Sequence, residues 1–325
     1  MQTPDTIALA IGDPNGIGPE IAVKAAVHYH GSAYRTVLVG SEHVIRHYAA
    51  RHAPQLALQR LADAGAAEDA AGLVFHHVDG FDPADFAPGV VSPAAGRATL
   101  ACVAAAVRLA RDGRVKAIVG CPHSETAING AGIAFSGYPG LIADLTGTPP
   151  SQVFLMLMAS GLRIAHVTLH ESVATALGRI DTALVVDAGR AAVEALRRLG
   201  LPNPTLGVFG INPHAGEGGL FGDEDERITR PAVARLRALG IAADGPFGAD
   251  LLLGQRKHDA YLAMFHDQGH IPIKLLSPLR ASALSIGAGV LFSSVGHGSA
   301  FDIAGKGVAD PVAVIDTLSL LYRTF

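Results

Sequence analysis

Strand-length apolar runs that alternate with longer amphipathic stretches constrain this chain more than any other feature. "TIALAIG", "RTVLVG", "LVFHHV", "KAIVGCP", "TLGVFGINP" and "YLAMFH" are each too short for a helix and too apolar to face water on one side. Between them lie helical segments such as "PAAGRATLACVAAAVRLARDG" and "DAGRAAVEALRRLG", the second closed by a glycine. That alternation is the βαβ pattern of a mostly parallel sheet covered by helices. One segment, "QVFLMLMASGLRIAHVTLHE", departs from it. Two strand-like runs flank "SGL", which predicts an antiparallel hairpin inserted into the α/β order. At 325 residues the chain exceeds one small core and suits two α/β lobes. The expected division is a discontinuous cofactor lobe, residues 1–128 plus 290–325, and a metal, substrate and dimerisation lobe over 129–289.

Several function classes drop out. The formal charge is −4 and the lysines and arginines are scattered, so there is no basic footprint for nucleic acid. The start, "MQTPDTIALAIGDP", lacks the build of a signal peptide, and no apolar run is long enough to span a bilayer, so a cytoplasmic protein is expected. Two cysteines, Cys102 and Cys121, do not make a disulfide framework.

Imidazole is the abundant chemistry, with 15 histidines. His170 closes "RIAHVTLH", His214 follows "GVFGINP", and His266 ends "YLAMFH". Ligands of open α/β sheets collect beyond the carboxyl ends of strands, so these three could converge on one metal; alternatively each is a loop-entry residue bonded to backbone. His166 lies about 13 Å along the same strand from His170 and reads as a satisfied strand histidine. "IGDPNGIGPE" follows the first strand but has Ile21 where a dinucleotide fingerprint needs glycine. "HGSAFDIAGKG" has Gly307 where a P-loop needs serine or threonine. Both stretches offer small residues and free backbone N–H groups, suited either to a cofactor or to plain tight turns.

"GDPNGIGPE", "GINPHAGEGG", "MFHDQGHIPIK" and "HGSAFDIAGKG", in that order over about residues 7–320, resemble the 4-hydroxythreonine-4-phosphate dehydrogenase family. The resemblance implies a fold like that of isocitrate and isopropylmalate dehydrogenases, an NAD-dependent enzyme acting on a CH–OH group, and a divalent metal held by His170, His214 and His266. It also implies a homodimer whose active site draws ligands from both subunits. The "HGSAFDIAGKG" segment is similar to an adenosine-binding segment, which puts Gly298, Ser299, Ala300 and Asp302, with Asn212, at the cofactor. Lys274 would neutralise a substrate carboxylate or assist proton transfer. Asp267 would fix a histidine tautomer or act as the base.

The departures from the family pattern are informative. A His-Thr pair is replaced by Tyr138 and Pro139, an asparagine by Ala283, an arginine by Phe292 and a lysine by Glu125. Losing those donors leaves a phosphate dianion poorly paired. "CPHSETAI", "AFSGYPGL" and "HDQGHIPIKLL" are instead similar to the branch that oxidises the cis-dihydrodiol of terephthalate with loss of CO2 to 3,4-dihydroxybenzoate. The resemblance then implies a small anionic cyclic diol as substrate; the all-imidazole ligand set favours zinc over magnesium, Tyr138 and Phe292 would shape an apolar slot for a planar ring, and Arg280 and His270 are the nearest basic residues in sequence for the second carboxylate. A phosphorylated hydroxy-acid dehydrogenase is the alternative, and a metal-dependent hydrolase a more distant one.

Overall fold

The computed structural model describes residues 6–61, 72–135, 137–278 and 281–322. The chain divides into two compact units, one from the residues up to Thr146 together with those from Val290 on, the other over Gly147–Gly289. The first break therefore falls after the helix Tyr138–Thr146. The helix Glu125–Gly130 stays with the first unit for a steric reason. Gly96, on the helix Pro93–Arg111, meets the backbone of Ala127 so closely that any Cβ would overlap it.

In the first unit, strands β1 (Thr6–Ala10), β2 (Arg35–Gly40), β3 (Leu58–Arg60), β4 (Leu73–His77) and β5 (Ala117–Gly120) are joined by β12 (Phe292–Ser294). Their order is β3-β4-β2-β1-β5-β12, and every pairing is parallel. All of β1 is buried, as a strand covered on both faces must be. The Pro93–Arg111 helix starts where the Ser92 hydroxyl accepts from Ala95 N–H at 3.2 Å, and it turns a stripe of small residues to the sheet.

The second unit holds β6 (Phe154–Ala159), β7 (Leu162–His166), β8 (Thr205–Phe209), β9 (Ala242–Phe247), β10 (Ala260–Ala263) and β11 (Ser282–Ile286), in the order β11-β6-β7-β10-β8-β9. β6 runs against both of its neighbours, and the rest are parallel. The β6–β7 hairpin turns on Ser160 and Gly161, both at positive φ, as a two-residue turn matching strand twist requires. The mostly parallel α/β sheets and the inserted hairpin follow the sequence pattern.

One element does not. Residues 266–276 form a helix, although Gly269 and Pro272 lie inside it and the sequence reads as a strand end turned by Gly269. Gln268 secures its start, its Oε1 accepting from Met264 N–H at 2.8 Å and Phe265 N–H at 3.1 Å. Its Ile273 packs into an apolar cluster with Ile164, Phe209, Tyr261 and Ala263.

Candidate functional site

The strand order of the second unit decides which histidines meet. β7 and β10 are parallel neighbours, with His166 opposite Ala263 in register. Beyond their ends the two chains continue side by side: Val167 N–H donates to Ala263 O at 2.8 Å and the Thr168 hydroxyl to Met264 O at 2.7 Å. His170 and His266 are thereby carried to the same place, with ring centroids 5.4 Å apart. The helix then adds a third ring. His266 and His270, four residues apart on one helical face, stack at 3.6 Å and 13°. One ligand nitrogen of each of His170, His266 and His270 lies within 4.8 Å of the others.

Hydrogen bonds order these rings. His266 Nδ1 lies 2.7 Å from Asp267 Oδ1, and a carboxylate can only accept, so Nδ1 carries the hydrogen of that bond, the tautomer that in a neutral ring leaves Nε2 as the lone pair. Behind the group, fully buried His166 places Nε2 3.1 Å from His270 Nδ1 and Nδ1 3.2 Å from Leu155 O. Burial, then the neighbouring His270, pushes the His166 pKa down to about 3. Burial, then His266, pushes His270 down to about 4. Both rings are therefore neutral, the form in which imidazole binds a metal. An open cleft of about 300 Å³ at the group is bordered by Thr168, Leu169, His170, Phe265, His266 and Asp267. Lys274 is exposed one further turn along the same helix, in the series 266, 270, 274.

His214 lies outside this group within one chain. It follows β8, which flanks β10 on the side away from β7. Buried Asp225 captures Ile211 N–H at 2.8 Å and Asn212 N–H at 2.9 Å, bending the segment after β8. His214 then sits at φ 52°, its side chain 68% exposed and Nδ1 2.9 Å from Glu217 Oε2. Asn212 is engaged in the same loop, donating to Glu224 Oε2 at 2.7 Å, which holds that carboxyl below its usual range. Arg280 lies outside the described residues.

The first unit brings together two glycine-rich stretches. Ile17 N–H donates to Ser299 O at 2.9 Å, and Gly16 lies so close to Ser299 that a Cβ would collide with it. Glu20 is fully buried and accepts from Ala309 N–H at 2.9 Å, Gly307 N–H at 3.2 Å and Lys24 Nζ at 2.7 Å. Gly298 and Asp302 are exposed along the seam, and Ala300 is at φ 39°. Ser299 Oγ and Asp13 Oδ2 are buried side-chain atoms with no hydrogen-bond partner. Burial raises Asp13 to about 6. Tyr138 and Phe292 do not form open walls. Phe292 is 0% and Tyr138 5% exposed, with their rings 4.6 Å apart over Gly120 and His123 packed against Tyr138 at 4.5 Å.

The contributions of Gln268, Asp225 and His166 escape the sequence reading. Gln268 Nε2 also donates to Gly210 O at 3.0 Å, tying the helix start to the end of β8. A recognised helix would have exposed the 266, 270, 274 spacing; nothing local marks Asp225.

Comparison with known proteins adds the relatives. The family model "Pyridoxal phosphate biosynthetic protein PdxA" matches residues 32–321. A 1,2-dihydroxy-3,5-cyclohexadiene-1,4-dicarboxylate dehydrogenase of Comamonas sp is 53% identical over 97% of this chain and 96% of its own. A crystal structure of a terephthalate 1,2-cis-dihydrodiol dehydrogenase from Burkholderia xenovorans LB400 is 51% identical, covers 98% of this chain and 97% of that one, and superposes with a TM-score of 0.82. A D-threonate 4-phosphate dehydrogenase of Cupriavidus necator is 37% identical over 96% of this chain and 95% of its own. Among the described residues no helix is long and apolar enough to cross a membrane.

Proposed function

Because the chain belongs to the pyridoxal phosphate biosynthetic protein PdxA family and is a dehydrogenase acting on a CH–OH group, we propose that its substrate is the cis-dihydrodiol of terephthalate, oxidised with NAD and decarboxylated to 3,4-dihydroxybenzoate. One observation carries the choice of substrate: identity of 53% to a dihydrodiol dehydrogenase against 37% to a phosphate-ester dehydrogenase, at nearly equal coverage.

The donor set, three clustered imidazoles with His266 Nδ1 engaged by Asp267, fits a divalent cation with an affinity for nitrogen, zinc above magnesium. His170 and His266 hold it, and His214 joins them from a second copy in a homodimer with a shared site. Bound there, the ion supplies electrophilic stabilisation of the oxygen on the reacting carbon. The chain's own groups do the remaining work. Asp267 keeps His266 in the binding tautomer. Lys274, exposed on the same helix, pairs with a substrate carboxylate. Tyr138 and Phe292 are buried packing in the first unit, so neither presents a phosphate with a charged donor. The seam of Gly298, Ser299, Ala300 and Asp302 takes the dinucleotide, with the unpartnered Ser299 Oγ available to it.

Atoms balance in two steps. Hydride leaves the secondary carbinol carbon for NAD while its hydroxyl proton passes to a base. The resulting β-keto acid loses CO2 from the adjacent carbon, and the electron pair left behind forms an enolate that takes back the proton held by the base, completing the aromatic ring as a phenol. The test is an absorbance assay for reduced nicotinamide, with zinc, offering the dihydrodiol, 4-phosphohydroxythreonine and threonate 4-phosphate in parallel. Turnover of the dihydrodiol at least about a hundredfold faster is expected, a gap of about 3 kcal/mol. Preference for either phosphate ester would overturn the proposal.

A further inference from the structure

We propose that His270 is itself a metal ligand, held in the binding tautomer by buried His166, so that one chain presents three imidazoles to a divalent cation. The inference rests on the metal reading above and extends it to two residues that the family resemblance assigns to no metal.

Leu155 O faces His166 Nδ1 at 3.2 Å, and a carbonyl can only accept, so Nδ1 carries the hydrogen. His166 is fully buried with one backbone carbonyl and one other imidazole, that of His270, as hydrogen-bond partners, so the ring is neutral and its Nε2 is a lone pair. His270 Nδ1, 3.1 Å away, must then be the donor. The second group near that nitrogen, His266 O at 3.3 Å, is also an acceptor and demands the same hydrogen. With Nδ1 as the donor, Nε2 is the nitrogen of His270 left for a metal. The strand backbone thus fixes the tautomer of a ring two side chains away.

Packing shows that the helix accommodates this pair. A Cβ at position 269 would overlap the His166 ring and press on Ile164, so glycine inside the helix lets the two imidazoles meet. Ile164 and Ala263 beside His166 are apolar core, where an aliphatic side chain would fill the volume without desolvating an imidazole. Two histidines there are spent on a directed hydrogen-bond series that ends at a half-buried ring in the three-histidine group. With His214 of a second copy added, the reacting oxygen still has a place, because zinc expands to five ligands.

The test uses full-length protein stripped of metal, titrated with zinc against a chromophoric chelator, with cobalt absorption and ¹⁵N-histidine NMR as second readouts. His270→Ala should weaken zinc binding at least about a hundredfold and change the cobalt ligand-field bands. His166→Leu should weaken it about 10–100-fold, as loss of a group orienting a ligand does, and should release the His270 tautomer in the NMR spectrum. His166→Gln, whose amide oxygen can accept in place of Nε2, should recover most of the affinity. Melting temperatures in chelator guard against misfolding. The inference is overturned if His270→Ala and His166→Leu bind zinc within about twofold of the parent while His170→Ala does not bind, a result that leaves the metal reading intact. It is equally overturned if His214→Ala abolishes binding and His270→Ala does not. A parent chain that binds no divalent ion would sink the metal reading as well.

Discussion

Two regions of this molecule are built from the same materials, carboxylates and small residues at the ends of parallel strands, and use them in opposite ways. In the first unit, Glu20 is fully buried and all its hydrogen bonds go to the chain itself, to Lys24 and two backbone N–H groups. In the second, the Asp267 side chain is 79% exposed and makes one bond, to His266 Nδ1. The first carboxylate closes a seam; the second directs a nitrogen outward. Both lie within quoted motifs, "GDPNGIGPE" and "MFHDQGHIPIK", so membership in a motif does not distinguish architecture from chemistry. Where the hydrogen bonds end does.

The contrast can be broken most forcefully at Glu20. Glu20→Ala leaves two loop amides without their acceptor and strips Lys24 of its counter-charge, with only the Gly307 and Ala309 carbonyls remaining to it, and should cost about 3–5 kcal/mol in urea unfolding. A loss under about 1 kcal/mol would mean the seam is not held by that carboxylate. On the other side, His266→Ala should leave unfolding in chelator unchanged while cutting zinc-dependent turnover about a hundredfold or more. Equal effects of these two substitutions on stability would erase the distinction between the regions.

Asp13 sharpens the contrast through pH. Its folded pKa of about 6 lies above the ordinary 3.8, chiefly through burial, so the folded state binds the extra proton. Its contribution to stability is fully present below the unfolded value and is lost as pH rises through the folded one. About two units correspond to about 3 kcal/mol at most. Urea midpoints measured from about pH 4 to about pH 7 should fall for the parent, and Asp13→Asn should flatten that slope. The smallest effect is expected at Asp267. Asp267→Asn keeps an oxygen that can accept from His266 Nδ1 but loses the charge, and should weaken zinc about tenfold with no change in chelator-treated stability.

Much of this was legible in the sequence, for physical reasons that differ by element. β1, β2, β5 and β10 are buried on both faces and read as continuous apolar runs. The hairpin was legible because Ser160 and Gly161 interrupt two such runs. β9, "AADGPF", was not, because half of it is exposed and it carries glycine and proline. The helix after β10 was hidden by Gly269 and Pro272, and with it the approach of His270 to His266. The meeting of His170 and His266 follows from the rule that ligands gather at strand ends, but the place of His214 depends on Asp225, a residue 11 positions away with no local signature.

Anomalous scattering at the zinc edge, from crystals grown with zinc, tests the central claim most directly. A single strong peak bonded to nitrogens of both His170 and His266 is the expected result. Zinc bound elsewhere, or rings at those two positions turned from each other with no shared atom, would contradict it.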